Sequence, residues 1–317
     1  MDGTGHWSHG LSPRTLSPLA GQGRFPVQEF TQQVLSGIAS GSVFAILALS
    51  LVMIYRSTAI LNFGQGEMAL FSTFIAWTFL TTMDFWLAFF LALLVAAVMG
   101  AALERFVLRP VEEAAVLNAV IVTLGLFTVF SSLSLTVWGS LPKSFGPFSF
   151  FKGPAVDLGP ASIGRANVGI LVAAVIVTVL LFLLFQHTKV GLAMRAVSQN
   201  RLASRLVGIR VGQILSIGWG LSAALGAVAG VLVAQTSGLS LSLMFDVLLY
   251  AMAAAVLGGL DSPLGAIVGG LAIGIVKNMA GTYIDPGVDV TVAFLIIVLV
   301  LMVRPTGIFG RHVLKRV

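Results

Sequence analysis

The sequence contains no cysteine and very few charged residues. Among 317 residues there are 18 Lys and Arg and 12 Asp and Glu, whereas 57% are hydrophobic. A soluble chain of this length carries about 80 charged residues, and too little polar surface is present here to cover a soluble globule. The composition therefore predicts an integral membrane protein and excludes soluble enzymes and nucleic-acid-binding proteins. Without cysteine there is no disulfide framework and no thiolate metal site.

The sequence also lacks the motifs of several catalytic classes. It has no G-x-x-x-x-G-K-[ST] phosphate-binding loop and no G-x-S-x-G nucleophile elbow. All four histidines lie outside the apolar segments, which argues against haem ligation, zinc proteolysis and a proton relay through histidine; they are His6, His9, His187 and His312. We therefore expect no catalytic residue, no metal site and no cofactor in this chain, which leaves transport, a channel or a scaffold.

Long uncharged stretches divide the chain into segments of membrane-spanning length. A helix that crosses a hydrocarbon core of about 30 Å needs about 20 residues. Barrel strands are about 10 residues long and alternate in polarity, whereas these segments are longer and apolar on all sides. The sequence therefore predicts an all-α membrane protein with eight or nine segments, of which the last three are short and some are broken or re-entrant. The segments are 34–55, 60–80, 85–108, 116–138, 166–186, 213–234, 243–260, 264–280 and 288–303.

The ends and loops of the chain differ from these segments in composition. Residues 1–33 are rich in Gly, Ser and Pro and predict a flexible polar tail, which precedes a membrane domain over 34–310 and a basic tail over 311–317. The loop over 188–212 is basic and contains no acidic residue. The positive-inside rule therefore places this loop and the C-terminal tail in the cytoplasm. The side of the N-terminus depends on whether eight or nine segments span the membrane.

Polar residues interrupt the second apolar segment in the stretch LNFGQGEMA. A carboxylate in hydrocarbon costs roughly 2.5 kcal/mol or more and usually faces a cavity or a partner. Alternating glycines weaken a helix and expose its backbone to a substrate. The residues alone leave two interpretations open: a broken helix that lines a permeation path, or an interfacial turn with the carboxylate at the head groups beside Arg56. The candidate path residues are Asn62, Phe63, Gly64, Gln65, Gly66 and Glu67.

The basic loop over 188–212 reads as an amphipathic helix. Its apolar surface comes largely from Leu192, Val197, Leu202, Leu206 and Val207, and its polar surface is rich in arginine. Such a helix lies on the membrane surface or docks into the groove of a cytoplasmic partner. The physical pattern alone favours the membrane surface.

Small residues recur at four-residue spacing in three apolar segments. Gly37 and Gly41, Gly226 and Gly230, and Gly265 and Gly269 each share a helix face. Small side chains at this spacing permit close helix packing. A further group of lone charges near the C-terminal segments is assigned to loops or interfaces; it comprises Asp246, Asp261, Lys277, Asp285 and Asp289.

Taken together, several stretches resemble one family, the integral-membrane permease subunits of branched-chain amino acid ABC importers, and most of all their H-type permease. The resemblance runs from about Gln32 to Arg311. The combination of LNFGQGEMAL with the closing VRPTGIFG is specific, although either alone is weak. The matching stretches are 41–55, 61–70, 103–111, 120–126, 191–209, 253–276 and 303–310.

This resemblance implies a type II importer-like permease that forms half of a translocation path for branched-chain amino acids. It implies a heterodimer with a second homologous permease in a bacterial or archaeal plasma membrane, two cytoplasmic ATPases that use ATP-Mg, and an extracytoplasmic substrate-binding protein. The basic loop then becomes the region that couples to an ATPase, through Gly191, Arg195, Ala196, Asn200, Ala203 and Gly208. The LNFGQGE stretch becomes a discontinuous helix near the path.

Two alternatives remain at this point. Close relatives in the family carry urea, short amides or other amino acids, and no residue here excludes those substrates. A self-contained secondary transporter or channel is the other alternative. It needs an internal coupling-ion site, which the shortage of buried acidic residues disfavours.

Overall fold

The chain folds into a bundle of helices. The sole sheet in the described part consists of two antiparallel strands of two residues each. The computed structural model describes residues 26–58, 60–111, 116–145, 153–157 and 162–310. The helices are α1 (Pro26–Thr58), α2 (Gln65–Leu80), α3 (Phe85–Leu103), α4 (Val116–Trp138), α5 (Arg165–His187), α6 (Lys189–Gln199), α7 (Arg201–Leu206), α8 (Val211–Ser237), α9 (Leu243–Gly258), α10 (Pro263–Tyr283) and α11 (Asp289–Val303). The hairpin pairs β1 (Val156–Asp157) with β2 (Ser162–Ile163).

Six helices in the described part are long and apolar enough to cross a membrane: α1, α3 with its extension to Val111, α4, α5, α8 and α10. The helices α2, α9 and α11 are shorter, at 15 or 16 residues. The all-α membrane class is confirmed, and the nine apolar segments predicted from the sequence correspond to these nine helices. The two remaining helices, α6 and α7, lie within the basic loop.

Two long helices form the centre of the bundle. In α1 and α8, 89% and 83% of the most apolar stretch is buried, whereas in α3, α4 and α5 the share is between 17% and 22%. The helix α1 packs chiefly against α10, α8 and α9, and α8 packs against α3 and α2. The helices α3, α4 and α5 therefore present apolar side chains outward, as lipid or a second subunit requires.

The first helix begins earlier than predicted. The helix α1 begins at Pro26, eight residues before the predicted start of the first span, so residues 26–33 are helical although they were assigned to the polar tail. Proline is accepted in a first helical turn, and Glu29 in that turn complements the helix dipole. Residues 1–25 and 311–317, the remaining parts of the two predicted tails, lie outside the described residues.

The small-residue pairs serve helix packing, as predicted. A Cβ added at Gly41 of α1 would lie 2.7 Å from the carbonyl oxygen of Gly270 in α10, and one at Gly274 would overlap the Cα of Gly41. Gly226 and Gly230 face α2 in the same way, and Gly265 and Gly269 face α9. The backbone of α10 is in direct contact with the backbones of α1 and α9 at these glycines, whereas Gly226 and Gly230 make room for side chains of α2.

The contact between α1 and α10 provides a stability prediction with an internal control. Replacing Gly274 by valine forces α1 and α10 apart, and overpacking of this kind costs about 1–3 kcal/mol or more. The control is Gly281→Ala in the same helix, because nothing lies within 4 Å of a Cβ added there. Thermal unfolding of the purified variants in detergent should show a lower midpoint for Gly274→Val alone. Equal midpoints for the two variants would contradict the packing argument.

The closing VRPTGIFG stretch covers the end of α9. The amides of Ile308 and Phe309 donate to the carbonyls of Leu257 and Gly258, at 2.9 and 3.0 Å. These carbonyls belong to the last turn of α9, where no amide of the same helix donates to them. Gly307 adopts a positive φ of 76°, and a Cβ there would lie 2.5 Å from the backbone of Gly259. The motif thus caps the C-terminus of α9, and the positive φ and the close approach to Gly259 require glycine at position 307.

At the end of the bundle opposite α6 and α7, a connection crosses the end of α2. Lys143 and Leu239 exchange two backbone hydrogen bonds, of 2.8 and 3.0 Å, in an isolated bridge. Trp138, the last residue of α4, stacks on Phe74 of α2 with ring centroids 5.1 Å apart. Trp77 of α2 donates to the carbonyl of Ser144 at 3.1 Å. The end of α2 is therefore fixed by aromatic packing and by the connection that follows α4.

Candidate functional site

The predicted path residues lie at the break between α1 and α2. The helix α1 ends at Thr58 and α2 begins at Gln65, with a turn at Phe63 and Gly64. Asn62 shapes this break, because its Oδ1 accepts from the Gly64 amide at 3.0 Å and its Nδ2 donates to Gln65 Oε1 at 3.0 Å. The second apolar segment is thus a short helix whose N-terminus lies inside the bundle, rather than a helix from residue 60 onward.

A buried chain of hydrogen bonds links this break to two central helices. Gln65 Nε2 donates to the carbonyl of Ser222 in α8 at 3.0 Å, and the Ser222 hydroxyl donates to the carbonyl of Ser50 in α1 at 2.8 Å. The side chains of Asn62 and Gln65 are 1% and 0% exposed. Unsatisfied polar groups are costly in an apolar interior. These hydrogen bonds therefore hold the start of α2 in one position relative to α1 and α8.

The two glycines of the stretch allow α2 to begin in a narrow space. A Cβ at Gly64 would lie 3.0 Å from the carbonyl oxygen of Thr123 in α4, and a Cβ at Gly66 would lie 3.1 Å from the side chain of Leu248 in α9. One of the two interpretations of the sequence was a broken helix in which these glycines expose backbone to a substrate. Their backbone is instead packed against α4 and α9, so their direct role is close helix contact.

Glu67 is the charged residue of this site. It lies in the first turn of α2, is 3% exposed, and its Oε2 has no hydrogen-bond partner in the described part of the chain. The ion pairs found among the described residues do not include Glu67. A head-group position beside Arg56 therefore does not describe it. A buried carboxylate with an unused oxygen is a group to which a cation or an ammonium group can bind.

The basic loop folds into two short helices with a cap on each. The Thr188 hydroxyl accepts from the Gly191 amide at 3.0 Å at the start of α6, and Asn200 Oδ1 accepts from the Ala203 amide at 2.9 Å at the start of α7. A Cβ at Gly191 would overlap the carbonyl of Leu184, so glycine is required where α6 folds back on α5.

The other predicted coupling residues complete this local structure. The Asn200 amide donates to the Ala196 carbonyl at 3.1 Å, which ends α6. Arg195 donates to Gln186 Oε1 at 3.3 Å. Gly208 has a φ of 83°, a left-handed conformation that follows the end of α7 and that glycine adopts readily. Five of the six predicted residues thus shape the two helices and their ends, and Arg195 ties α6 back to α5.

The helix α7 has one side against the bundle and one side free of it. Arg201 donates to the carbonyl of Ser57 in the last turn of α1. On the outer side, Leu202, Leu206 and Val207 are 68%, 82% and 75% exposed. We call these three residues with Arg205 the docking patch. The same short helix therefore touches α1 just before the break at Asn62 and presents an exposed apolar surface.

The lone charges take up loop and helix-end positions, with one exception. Asp246 and Asp289 lie in the first turns of α9 and α11, and Asp261 and Asp285 lie in turns. Lys277 lies within α10, where its Nζ is 3.8 Å from Asp289 Oδ2. It also lies 5.5 Å from the ring centroid of Tyr250. Lys277 is thus held by neighbouring helices as well as lying near the end of its own helix.

Sequence reasoning missed the polar residues that act through long-range contacts. Ser50 and Ser222 are each one of several serines in an apolar helix, and no local pattern distinguishes them from the others. Glu104 and Arg109 form an ion pair of 2.7 Å, and neither was among the residues predicted to form a site. In the described ranges no group of three or more His, Asp or Glu side chains is placed to hold a metal ion.

Comparison with known proteins identifies the family of this chain. Residues 33–303 match the model of a family described as branched-chain amino acid transport system, permease component. The high-affinity branched-chain amino acid transport system permease protein LivH of Escherichia coli (strain K12) is 29% identical over 303 residues, which cover 91% of this chain and 98% of that protein. Protein BraD of Pseudomonas aeruginosa, with the same description, is 28% identical over 92% of this chain and 99% of that protein.

A solved structure, PsaBC from Streptococcus pneumoniae in complex with Fab, is similar at a TM-score of 0.48 and 13% identity, over 87% of this chain and 92% of that chain. A similarity of this degree supports no argument about function. The family match covers most of the chain and includes both the break at Asn62–Glu67 and the docking patch. With its apolar helical bundle, the chain is a multi-pass membrane protein that belongs to the family of branched-chain amino acid transport system permease components.

Proposed function

We propose that this chain is the permease subunit of an ATP-driven importer and forms half of the path for branched-chain amino acids across a bacterial or archaeal plasma membrane. The family and the similarity to the transport permeases LivH and BraD support this assignment. The observation that carries it is the buried N-terminus of α2, where Glu67 is 3% exposed and one of its oxygens has no partner in the described structure. A scaffold has no need of such a group.

The path runs along the break between α1 and α2. Helix breaks at mid-membrane depth place helix N-termini and polar side chains where they can meet a substrate. In this proposal Asn62, Phe63, Gly64, Gln65 and Gly66 position the start of α2, and Glu67 interacts with the ammonium group of the amino acid. The surrounding apolar side chains suit leucine, isoleucine and valine. Urea or a short amide has no ammonium group, so the same site would bind it without a charged contact.

The energy comes from other subunits. The chain has no phosphate-binding loop, so ATP-Mg binds to two cytoplasmic ATPases. One of these grips the α6–α7 region, where Gly191, Arg195, Ala196, Asn200, Ala203 and Gly208 define the two helices. The docking patch is the contact surface, because exposed apolar residues rimmed by arginine are typical of a protein interface. Closure of the ATPase pair then moves α7, which is bonded to the end of α1 beside the path.

A second homologous permease completes the path. The outward apolar faces of α3, α4 and α5 supply surfaces for this subunit and for lipid. On the side opposite the docking patch, an extracytoplasmic substrate-binding protein delivers the amino acid. No catalytic residue, metal or cofactor of this chain takes part in the cycle.

Co-purification tests this assembly. The tagged chain is extracted gently from its native membrane, and the proteins that accompany it are identified by mass spectrometry. We expect a second permease and two ATPase subunits in fixed ratio to this chain. Recovery of the chain alone as a stable homo-oligomer, with ion-driven uptake and no ATP dependence, would contradict the proposal in favour of a secondary transporter.

A further inference from the structure

A partly buried charged cluster, in which Glu104 is buried and the Arg109 side chain is 38% exposed, joins the end of α3 to the start of α8. Glu104, 2% exposed, accepts from Arg109 through both carboxylate oxygens, at 3.1 and 2.7 Å. Arg109 also donates to the Gly212 carbonyl at 2.6 Å and to the Ser216 hydroxyl at 2.9 Å. The Ser216 hydroxyl in turn donates to Glu104. We call these four residues the α3–α8 clamp.

The backbone is locally altered to make the clamp. On an α-helix of 3.6 residues per turn, side chains five residues apart point about 140° away from each other. Residues Glu104–Leu108 form a π-helical turn, in which the Arg109 amide donates to the Glu104 carbonyl. The wider turn brings the side chains of Glu104 and Arg109 together. Single π turns of this kind are frequent at functional sites, and Pro110 then ends the regular helix.

Stability alone does not account for these groups. The Glu104 carboxylate loses its water, which offsets much of the attraction in the pair, and an ion pair whose Arg109 side chain is 38% exposed is also screened by solvent. Buried polar groups can instead fix one specific arrangement of two elements, which an apolar contact leaves free to slide. Here the guanidinium of Arg109 lies against Gly212, and a Cβ added at Gly212 would be 3.0 Å from the Cζ of Arg109. The fit is specific in both charge and shape.

The clamp lies where motion of α7 enters α8 and α3. Four residues separate the end of α7 at Leu206 from the start of α8 at Val211, and the clamp residues Gly212 and Ser216 lie in the first two turns of α8. Further along, α3 and α8 touch through backbone, since a Cβ at Gly220 would lie 2.7 Å from the Ala97 carbonyl. A displacement of α7 therefore reaches α8 first, and reaches α3 through the clamp.

We propose that Glu104, Arg109 and Ser216 are positioning residues that make α3 and α8 move as one body, so that motion of α7 is transmitted to α3 as well as to α1. This inference rests on the proposed function for the source of the motion. It assigns to the ion pair of Glu104 and Arg109 a role in coupling ATP hydrolysis to transport, separate from the substrate contacts at Asn62–Glu67.

The first test compares transport with ATP hydrolysis in the complete complex in lipid vesicles. Glu104→Gln and, separately, Arg109→Lys should lower the amount of leucine transported per ATP hydrolysed by about tenfold, within the range usual for coupling between sites. The control is Arg105→Gln, since Arg105 lies in the same π turn but is exposed. A purely structural role would lower both rates in proportion, and that result, or unchanged coupling in both variants, would overturn the inference.

A second measurement does not depend on transport. Because the chain has no native cysteine, spin labels can be attached at Phe106→Cys and Gln213→Cys, two exposed positions on either side of the clamp. The clamp predicts one narrow distance distribution between the labels in the chain alone and in the assembled complex, with or without ATP. Glu104→Gln should broaden it. A broad distribution with the clamp intact, or a narrow one in the variant, would contradict the inference even if the wild-type complex proved not to import leucine.

Discussion

Replacing Glu67 by glutamine should lower leucine uptake by about 10- to 100-fold, because a hydrogen bond to a charged group contributes roughly 1.5–3 kcal/mol. The amide keeps the shape of the side chain and removes only its charge. Glu67 has no ionic partner among the described residues, so the variant loses no internal ion pair. We therefore expect its thermal unfolding midpoint to be equal to or above that of the wild type, which separates loss of function from loss of fold.

The control for this experiment is Glu29→Gln. Glu29 also lies in the first turn of a helix, but it is exposed. Uptake of labelled leucine is measured in the assembled complex, with the amounts of both permeases and the ATPases checked in each preparation. Uptake at the wild-type rate in Glu67→Gln would remove Glu67 from the substrate path. A loss that is equally large in Glu29→Gln would show a general effect of charge.

Replacing Leu206 by aspartate should detach the ATPases. Burial of a leucine side chain contributes about 1.5–3 kcal/mol, and a charge in an apolar interface adds a desolvation cost. Leu206 is 82% exposed and packs little within the chain, so the substitution should leave the fold intact. We expect the affinity for the ATPases to fall by at least about tenfold, while the second permease stays bound.

Leu141→Asp serves as the matched control for the docking patch. Leu141 is 75% exposed, and it lies in the connection after α4, at the opposite end of the bundle. Subunit ratios in the purified complexes are compared by quantitative mass spectrometry. Normal ATPase content in Leu206→Asp would exclude the docking patch as the contact surface. Loss of the ATPases in both variants would indicate a general defect of assembly.

The helices of this fold were largely predictable, because each is encoded locally. The predicted segment 116–138 coincides with α4, and 243–260 differs from α9 by two residues. Apolar runs bounded by charges or by Gly and Pro are sufficient signals for such helices. The start of α2 was less predictable, since residues 60–64 are apolar enough to extend a helix. The local hydrogen bond between Asn62 and Gln65 and the tertiary one from Gln65 to Ser222 favour a helix that begins at Gln65.

The sequence predicted which residues form the candidate site but not which residues they contact. The stretch from Asn62 to Glu67 was conspicuous because polar residues are rare in this chain. Its partners Ser50 and Ser222 are separated from it in sequence, and serine is common in packed membrane helices. The pair Glu104 and Arg109 stand five residues apart, which does not match α-helical spacing. Only the π turn makes them neighbours, and no pattern in the sequence indicates that turn.

The central claim is that this chain works as part of an ATP-driven importer of branched-chain amino acids. The most direct test is uptake of labelled leucine into lipid vesicles that contain the purified complex, with the binding protein and ATP on their respective sides. We predict that leucine uptake requires both ATP and the binding protein. Unlabelled isoleucine and valine should suppress this uptake, whereas urea should not. Leucine uptake by this chain alone, driven by an ion gradient without ATP, would contradict it.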